Sequence, residues 1–364
     1  MKSFGSQNKK TNRENRYPKV AIIILNWNGW RDTIECLESL QDLSYFAYEI
    51  ILVDNGSTDD SIHHIRKWAD HRSATRSPIK IILPDRKRAE DTEREHRAGR
   101  LMRTNLPKTM VLIQNKENLG FAGGNNVGLR YALQKGYEYI WLLNNDTVVR
   151  SDSLMELVKL MERGNNAGMI GSLILDYYCR DKIQSVGQRS ILRVFQRDFR
   201  YRCLREIEGL KEIVPLWVWA ASVLVRTECL KDIGLFDEKY FVSEEDKDWC
   251  FRARKKNWLI LSCWRSIVWH KGNAKMVRVQ PREDPGFIRD RSIEYFEKRG
   301  YYELRNNIYF LRKHKPLYLP LALIVDLGLM LKIIVFQSRK IRRLRVNLRA
   351  LRDSLVSRMG KKRE

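Results

Sequence analysis

The sequence predicts an α/β protein with a Rossmann-like, mainly parallel central sheet flanked by helices. Three observations predict this fold class: apolar runs of strand length, segments of helix length between them, and polar clusters directly after the runs. Continuous apolar runs are typical of strands buried on both faces, and their alternation with helices is typical of parallel sheets. Because ligands of such sheets bind beyond the carboxyl ends of the strands, the polar clusters are candidate functional residues.

The first half of the chain supplies most of the predicted sheet. Five buried strands are predicted, at Val20–Leu25, Glu49–Val53, Ile79–Leu83, Val111–Ile113 and Tyr139–Leu143. Helices are predicted from Asp32 to Leu40 and from Asp152 to about Glu162. Two more helices are predicted, one that runs through Ile65 and Trp68 and one that runs through Leu129 and Leu133. Ser57 or Thr58 is placed to cap the second helix, and a glycine-rich loop, Asn118–Gly124, precedes the third.

The second half is less regular. Trp217–Arg226 is predicted to be a strand or a buried segment, and Glu244–Lys256 a helix whose acidic first turn suits the helix dipole. Trp258–Cys263 is predicted as one strand, and a further strand is predicted to end just before His270.

The chain is expected to divide into three parts. Residues 1–18 are predicted to be a disordered basic leader, 19–310 one large domain, and 311–364 a helical C-terminal region. Within the domain, 85–108 is dense in charges of both signs and is interpreted as an exposed insertion. Since 1–19 is polar and lacks the apolar core of a secretory signal, the domain is expected to face the cytoplasm.

The C-terminal region combines an apolar segment with a basic one. Leu317–Phe336 is 20 residues long but contains Pro320, Asp326 and Lys332, so a helical hairpin on a membrane surface or inside the protein is favoured over a true span. Leucines and one isoleucine then recur every three or four residues, with arginines between them: Ile341, Leu344, Leu348, Leu351 and Leu355. This pattern predicts a basic amphipathic helix that lies on anionic lipid; packing on its own domain or on a partner is the alternative.

The charge balance indicates an acidic partner. With 68 Lys and Arg against 44 Asp and Glu, the formal charge is +24, which fits nucleic acid, a phosphate-rich substrate or an anionic membrane. The basic residues gather in the C-terminal tail and no standard nucleic-acid-binding motif is present, so nucleic acid is the weaker alternative. The six cysteines lack C-x-x-C spacing and are interpreted as isolated thiols rather than zinc or redox motifs.

Three polar clusters after the strands could bind a nucleotide and a metal. They are Asp54, the segment from Asn118 to Asn126, and Asn144-Asn145-Asp146. Carboxylates can hold ribose, Mg²⁺ or Mn²⁺, and glycines allow backbone amides to approach phosphate or sugar. Taken one at a time, each cluster could equally be a turn. G-x-G-x-x-G is missing after the first strand, which counts against a nicotinamide enzyme.

A fourth cluster is acidic and lies among aromatic residues. In Ser243–Trp249, Glu245 and Asp248 share one helical face and Asp246 points elsewhere. A partly buried carboxylate at this point could have a raised pKa and act as a general base, although a solvated helix start is the simpler interpretation. His270 follows an apolar strand and is, on spacing alone, more often structural.

Taken together, these clusters resemble the family 2 glycosyltransferases, rhamnosyltransferase-like branch, which have a GT-A fold. The resemblance covers about 19–310, apart from the insertion. Its motifs are Val20–Gly29 (VAIIILNWNG), Ile51–Asp59 (ILVDNGSTD), Glu117–Gly128 (ENLGFAGGNNVG), Leu142–Thr147 (LLNNDT), Gly234–Glu238 (GLFDE), Glu245–Asp248 (EDKD) and Trp269–Gly272 (WHKG). Seven motifs in the family order are far more specific than any one of them.

The resemblance implies a role for each matching residue. Donor-binding residues would be Asn26, Trp27, Asp54, Asn118, Gly120, Asn126, Asn144 and Asn145. Asp146 and His270 would bind a divalent metal, Mg²⁺ or Mn²⁺, and Asp246, paired with Glu245, would be the catalytic base. Asn144 stands where many members of the family carry Asp, which weakens the expected hold on a cation.

The implied function is an inverting glycosyltransferase. It would move a sugar from a UDP- or dTDP-sugar, rhamnose among the candidates, to a hydroxyl of a glycan or lipid-linked acceptor in cell-surface polysaccharide synthesis. The C-terminal region, 317–364, would hold it to the cytoplasmic face of the membrane as a peripheral or monotopic protein. A non-catalytic GT-A scaffold is the alternative from another class, and retention of Asp54, Asp146 and Asp246 together weakens it.

Overall fold

The computed structural model describes residues 17–73, 79–82, 108–164, 166–189, 203–204, 214–272, 285–336 and 340–362. Its strands are β1 Val20–Asn26, β2 Tyr48–Asp54, β3 Ile79–Ile82, β4 Lys108–Gln114, β5 Tyr139–Asn144, β6 Thr147–Val149, β7 Ala167–Asp176, β8 Ile183–Ser185, β9 Ser222–Arg226 and β10 Leu259–His270. Its α-helices are α1 Trp30–Gln41, α2 Ser61–Ser73, α3 Gly120–Lys135, α4 Ser153–Arg163, α5 Thr227–Ile233, α6 Glu245–Lys255, α7 Pro285–His314, α8 Leu319–Phe336 and α9 Lys340–Leu355.

The strands form one sheet in the order β3-β4-β2-β1-β5-β9-β7-β10-β6, with β8 paired to β7. The first five are parallel; β9 runs antiparallel to both of its neighbours, and β10 is parallel to β7. The predicted α/β fold with a mainly parallel sheet is therefore confirmed. Asn26 pairs in register with Asp54, and Leu25 with Asn144, so the ends of β2, β1 and β5 lie side by side.

Helices cover both faces of the sheet, which explains the continuous apolar runs. Ile22 and Ile24 face one hydrophobic core, whereas Ala21 and Ile23 face the other, and all four side chains are fully buried. An apolar residue is needed at every position of such a strand. The sequence pattern of β1 is thus a direct consequence of its central place in the sheet.

The glycine-rich segment is helical rather than a loop, which corrects the prediction. Helix α3 begins at Gly120, and Gly124 and Gly128 lie against the strand that carries Leu25 and Ile23. A Cβ on Gly124 would stand 2.6 Å from Leu25 Cδ1, and one on Gly128 would stand 2.7 Å from Ile23 Cγ2. These two glycines therefore let α3 pack closely on β1.

Two further predictions about local structure are wrong. The two strands predicted before His270 are a single strand, β10, with an irregularity between Cys263 and Ile267 that keeps its two halves in register with β7. Ser57 and Thr58 do not cap α2, because both hydroxyls accept hydrogen bonds from Asn28 in the β1–α1 loop. Instead, Asp59 Oδ1 accepts a hydrogen bond from the amide of Ser61, the first residue of the helix.

The C-terminal helices pack on the domain and on each other. Helix α7 runs across residue 310 and is tied to α9 by a 2.7 Å hydrogen bond from Tyr301 Oη to Asp353 Oδ2. Helix α8 is continuous, so the predicted hairpin is wrong; Pro320 lies in its first turn, where proline is tolerated. Within the described ranges, none of the helices combines the length and apolarity that crossing a membrane requires.

The apolar stripe of α9 divides between two environments. Leu344 and Leu351 pack against the cluster formed with α7, as the alternative interpretation expected. Ile341, Leu348 and Leu355 are 70%, 51% and 59% exposed. The helix therefore presents a second apolar row to the outside.

Candidate active site

The ends of β1 and β2 form a buried polar network around Asp54. Asn26 Nδ2 donates to Asp54 Oδ1 at 2.8 Å, and the Ser57 hydroxyl donates to the same oxygen at 2.6 Å. The Ser57 amide donates to Oδ2 at 3.1 Å. Asn26 is fully buried and Asp54 is 3% exposed, so these bonds compensate a carboxylate that is almost out of contact with water. The carboxylate is held in a fixed orientation.

Trp27 is exposed, in contrast to Asn26 before it. Its side chain is 53% accessible, and it follows the buried Asn26 directly. An exposed indole beside a fixed carboxylate is suited to stack on a planar ring such as a nucleotide base.

The predicted residues of the glycine-rich segment are tied to Asn55, which sequence reasoning missed. Asn55 Nδ2 donates to Asn118 Oδ1 and to the carbonyl of Gly120, both at 3.0 Å. Asn55 Oδ1 accepts from the amide of Leu119 at 3.1 Å. The only sequence indication was its place directly after Asp54. Through Asn55, the end of β2 fixes the start of α3.

Asn126 is placed to shape the site rather than to contact a ligand. It is 1% exposed, its Nδ2 donates to the carbonyl of Phe236 and to Glu238, and its Oδ1 accepts from the amide of Phe236. All of its amide groups contact protein. Asn126 thus fastens the segment before Asp246 to α3.

The turn between β5 and β6 joins this network to the predicted metal residues. Asn145 Nδ2 donates to Thr33 Oγ1 at 3.0 Å, and Thr33 Oγ1 donates to Asn26 Oδ1 at 2.8 Å. The adjacent Asp146 faces His270, with 3.2 Å between Asp146 Oδ1 and His270 Nε2. Asp54 and Asp146 are therefore linked through three side chains.

Asp146 is held by the residues that follow β10. The amide of Gly272 donates to Asp146 Oδ2 at 3.2 Å, and the amide of Lys271 donates to the Asp146 carbonyl at 2.9 Å. Although burial opposes ionisation, His270 and the backbone amides of Asp146 and Gly272 hold the pKa of the Asp146 carboxyl below its usual value. Asp146 is therefore a carboxylate at neutral pH.

Gln184, which sequence reasoning missed, determines the tautomer of His270. Its Nε2 donates to the carbonyl of His270 at 2.8 Å and to Asp176 Oδ2 at 3.2 Å. Because both of these partners can only accept, Gln184 Oε1 must face His270 Nδ1, at 2.9 Å, and accept its proton. Nε2 is then the ring nitrogen left to face Asp146, and it lies 3.4 Å from Asn144 Nδ2; a proton on Nε2 bonds to the carboxylate, and in the neutral ring Nε2 carries the lone pair that a metal needs.

These atoms fit a divalent metal in part. A carboxylate oxygen of Asp146 and Nε2 of His270 face each other, as ligands of one cation would. Among the described residues, no group of three His, Cys, Asp or Glu side chains could hold a metal ion. A cation held at this point would complete its coordination with oxygens of the donor or of water.

The buried Lys271 holds the residues after β10 in place, a role that the sequence did not predict. Lys271 is 7% exposed; its ammonium group bonds to Asp32 Oδ1 at 2.7 Å and to Glu35. Although partial burial acts against it, Lys271 and Tyr177 hold the pKa of Glu35 below its usual value. These bonds fasten α1 to the residue after His270.

The predicted base lies at the start of α6. Asp246 Oδ1 accepts from the amide of Lys247 at 2.7 Å, and Oδ2 accepts from the amide of Ala220 at 3.3 Å. Burial, and then the charge of Glu244, raise the pKa of Asp246 to about 7. Burial and the adjacent Asp246 raise the pKa of Glu245 well above its usual value. Burial and mutual repulsion thus favour the neutral forms of both carboxyl groups.

Asp246 belongs to the same site as the other two acids. Ala220, which bonds to Asp246, is followed by Ala221, whose carbonyl accepts from the amide of Asn144 at 3.0 Å. Asn144 in turn begins the turn that carries Asp146. Hydrogen bonds and neighbouring main-chain segments thus connect Asp54, Asp146 and Asp246 near the ends of β1, β2 and β5.

Comparison with known proteins shows the family to which the chain belongs. A family model described as "Glycosyltransferase like family 2" matches residues 89–285, more than half of the chain, and "Glycosyl transferase family 2" matches 21–92. The dTDP-rhamnosyl transferase RfbF of Shigella flexneri is 26% identical over 253 residues, which cover 65% of this chain and 76% of that protein. The rhamnosyltransferase WbbL of Escherichia coli K12 is 26% identical over 218 residues, 56% of this chain and 75% of that protein.

A solved structure shows the same fold. The mannosyltransferase PcManGT from Pyrobaculum calidifontis, in complex with GDP-Man and Mn²⁺, superposes with a TM-score of 0.51 at 15% identity, over 95% of this chain and 77% of that chain. The resemblance found in the sequence is confirmed. From its family match and its relatives, the chain belongs to glycosyltransferase family 2 and is a rhamnosyltransferase-like glycosyltransferase with a GT-A fold.

Proposed function

We propose that the protein is an inverting glycosyltransferase that uses a UDP- or dTDP-sugar, with dTDP-rhamnose as the first candidate. The acceptor is a hydroxyl of a glycan or lipid-linked glycan in cell-surface polysaccharide synthesis. One observation carries the proposal: the hydrogen-bonded connection of Asp54, Asp146 and Asp246 along a single sheet edge. The names of the relatives RfbF and WbbL support the choice of rhamnose.

The donor nucleotide is bound at the ends of β1 and β2. Trp27 stacks on the base, and the fixed carboxylate of Asp54 accepts hydrogen bonds from the base or ribose. Because the protein already orients Asp54, little freedom is lost on binding. Asn118, Gly120 and Asn145 line the continuation of the site toward the diphosphate.

The diphosphate lies next to Asp146 and His270. When bound there, a divalent cation, Mg²⁺ or Mn²⁺, neutralises the charge that develops on the departing diphosphate. Gln184 keeps the lone pair of His270 on Nε2, and Gly272 keeps Asp146 in place. Mn²⁺ in the PcManGT structure supports the choice of metal.

Asp246 acts as the base. As the acceptor oxygen bonds to the anomeric carbon, its proton moves to Asp246, and the bond from that carbon to the diphosphate oxygen breaks with both electrons leaving on the diphosphate. Attack from the face opposite the leaving group inverts the configuration, so no covalent enzyme intermediate forms. A pKa near 7 is matched to this task. Burial and the adjacent Asp246 favour the neutral form of Glu245, which keeps a second negative charge away from the base.

The exposed rows of α8 and α9 support a place at the cytoplasmic face of the membrane. Ile324 and Leu327 on α8 are 66% and 54% exposed, and α9 adds Ile341, Leu348 and Leu355 among arginines. Apolar side chains flanked by cations suit an anionic lipid surface. The protein is therefore proposed to be peripheral or monotopic.

The experiment is a turnover screen of nucleotide sugars on lipid-linked acceptors, with and without Mn²⁺ or Mg²⁺. We expect turnover with dTDP-rhamnose that needs a divalent cation, and a product of inverted configuration. In the Asp246→Asn variant, kcat should fall by at least about 10³-fold, whereas donor affinity should stay near that of the wild type. Near-normal turnover by Asp246→Asn would remove Asp246 as the base, and no turnover with any nucleotide sugar would reject the proposal.

A further inference from the structure

The segment that presents Asp246 has an unusual backbone. Phe241, Ser243 and Glu244 have φ angles of 64°, 71° and 73°. Residues with a side chain rarely adopt this left-handed conformation, and it persists only where the surroundings hold it. The segment Tyr240–Glu244, here called the base loop, leads directly into the helix turn that carries Asp246.

One side chain of α7 holds the base loop. Asn306 Nδ2 lies 2.9, 2.8 and 2.8 Å from the carbonyl oxygens of Tyr240, Val242 and Ser243. Asn306 is fully buried, so water does not replace these contacts. A single amide group thus fixes three carbonyls of a loop that has three left-handed residues.

The orientation of Asn306 is set by Arg305. Arg305 Nε donates to Asn306 Oδ1 at 3.0 Å, which turns the Nδ2 group toward the loop. Arg305 is 1% exposed, and its Nη2 donates to the carbonyl of Tyr240 at 3.2 Å. Its Nη1 donates to the carbonyl of Gly360 at 2.8 Å.

The C-terminal tail bonds both to Arg305 and to the residue before the base loop. The amide of Gly360 donates to the carbonyl of Lys239 at 2.7 Å, just before the base loop. Gly360 therefore contacts both the loop end and the arginine that orients Asn306. These bonds run from the tail through α7 to the base loop.

On its other side, the base loop contacts the donor-binding segment. The amide of Ala122 on α3 donates to the carbonyl of Phe241 at 3.2 Å. A Cβ on Gly120 would stand 2.5 Å from that same carbonyl oxygen. The loop thus lies between α3 and α7, and a shift of α7 would reach Asp246.

We propose that Asn306 is a positioning residue for Asp246, and that α7 and the tail through Gly360 are parts of the catalytic unit. The proposal rests on the proposed function, in which Asp246 is the base. It adds that the C-terminal region acts on catalysis directly, besides any contact with a membrane. A change in how α7 packs on the domain therefore changes the position of Asp246.

The test compares Asn306→Ser, which shortens the side chain, with the control Asn347→Ser on the partly exposed face of α9. Steady-state kinetics, donor affinity by calorimetry without acceptor, and thermal unfolding are measured on the full-length protein. We expect kcat of Asn306→Ser to fall about 10–100-fold, as a misplaced catalytic group does, with donor affinity within about twofold of the wild type, since the donor site is built elsewhere. The acid limb of the kcat profile should move to higher pH, because a displaced Asp246 loses the amides that stabilise its carboxylate.

Unchanged kcat in a folded Asn306→Ser variant overturns the proposal. Equal losses of kcat and donor affinity also overturn it, because they indicate general loss of structure, and so does the same loss in Asn347→Ser. If Asn306→Ser does not fold, the same measurements are made on a chain that ends at Met359 and so lacks Gly360. Lowered kcat with retained donor affinity in this variant supports the role of the tail, whereas unchanged kcat rejects it. Asp246→Asn is measured in parallel, since its retention of turnover would reject the base itself rather than its positioning.

Discussion

At the scale of single residues, the active site depends on how each acid is compensated. Asp54 has three donors and Asp146 has backbone amides and His270. Asp246 has two backbone amides but also the charge of Glu244 nearby. The first two are thus held as carboxylates for binding, whereas the third can take up a proton near neutral pH. In the proposed function, this difference separates the acid that binds the donor, Asp54, and the acid that binds the metal, Asp146, from the proposed base.

The pH dependence of turnover follows from that difference. Burial and Glu244 raise the pKa of Asp246 to about 7, and the base works as the carboxylate, so kcat should fall as pH drops below about 7. Glu244→Gln removes a negative charge, which lowers the pKa of Asp246 and should move the acid limb to lower pH. The measurement is a kcat profile from pH 5 to 9 at saturating donor, with exposed Glu228→Gln as the control. An acid limb that stays in place in Glu244→Gln would contradict this assignment.

Gln184 gives a prediction about metal binding that needs no turnover. Gln184→Ala removes the acceptor of the His270 Nδ1 proton, so the lone pair is no longer fixed on Nε2. We expect Mn²⁺ affinity, measured by paramagnetic resonance titration, to fall about 10–100-fold, as it does when a partner of a ligating histidine is removed. The exposed Gln134→Ala on α3 should bind Mn²⁺ like the wild type. Equal affinity in all three proteins would argue against His270 as a ligand.

At the scale of elements, the start of α3 contacts both the base loop and Asn55 at the end of β2. Gly120 has a φ of 77°, and a Cβ there would stand 2.5 Å from the Phe241 carbonyl oxygen. Gly120→Ala adds this clash to the backbone strain, so it should lower the free energy of unfolding by about 2–4 kcal/mol, measured by urea denaturation.

Gly136→Ala is the matched control for that measurement. Gly136 has a φ of 72° at the C-terminal end of the same helix, but a Cβ there meets nothing within 4 Å. Gly136→Ala should therefore lower the free energy of unfolding only by the backbone strain, about 1–2 kcal/mol. Equal losses in the two variants would show that contact with the base loop adds nothing.

The sequence predicted the strands well because the signal lies within each strand. Buried β1 and β5 need apolar residues throughout, and their polar ends mark the site. The start of α3 was predicted as a loop because its glycines suggest turns, whereas they serve close packing on Leu25 and Ile23. The roles of Gln184, Lys271 and Asn306 could not be found, because they depend on contacts between elements distant in the chain. These are β8 with β7 and β10, the residue after β10 with α1, and α7 with the base loop. No local pattern encodes such contacts.

At the scale of the whole molecule, the C-terminal region has two faces with separate consequences. Its inner face, through Gly360, contacts Lys239 before the base loop and Arg305 of α7. Its outer row, Ile341, Leu348 and Leu355, is exposed. A deletion of 337–364 would therefore remove both Gly360 and the outer row, and could not separate catalysis from membrane contact. Point changes on the outer row keep the inner face intact.

Membrane contact is tested by replacing Ile341, Leu348 and Leu355 together by serine. Each large aliphatic side chain that leaves water contributes about 1.5–3 kcal/mol when fully buried, so binding to liposomes with anionic lipid should fall at least tenfold. Sedimentation with the liposomes measures binding, and solution turnover on a soluble acceptor should stay normal. Leu259→Ser, 40% exposed on β10, is the control. Undiminished sedimentation of the triple variant would reject the proposed surface.

The central claim is that nucleotide, diphosphate and acceptor hydroxyl meet at one sheet edge. A crystal structure with dTDP and Mn²⁺ tests it most directly. We expect the thymine ring beside Trp27 and Asp54, the metal on Asp146 and His270, and the carboxylate of Asp246 facing the open side of the terminal phosphate. A nucleotide bound away from β1 and β2, or an Asp246 separated from the diphosphate by protein, would contradict the account.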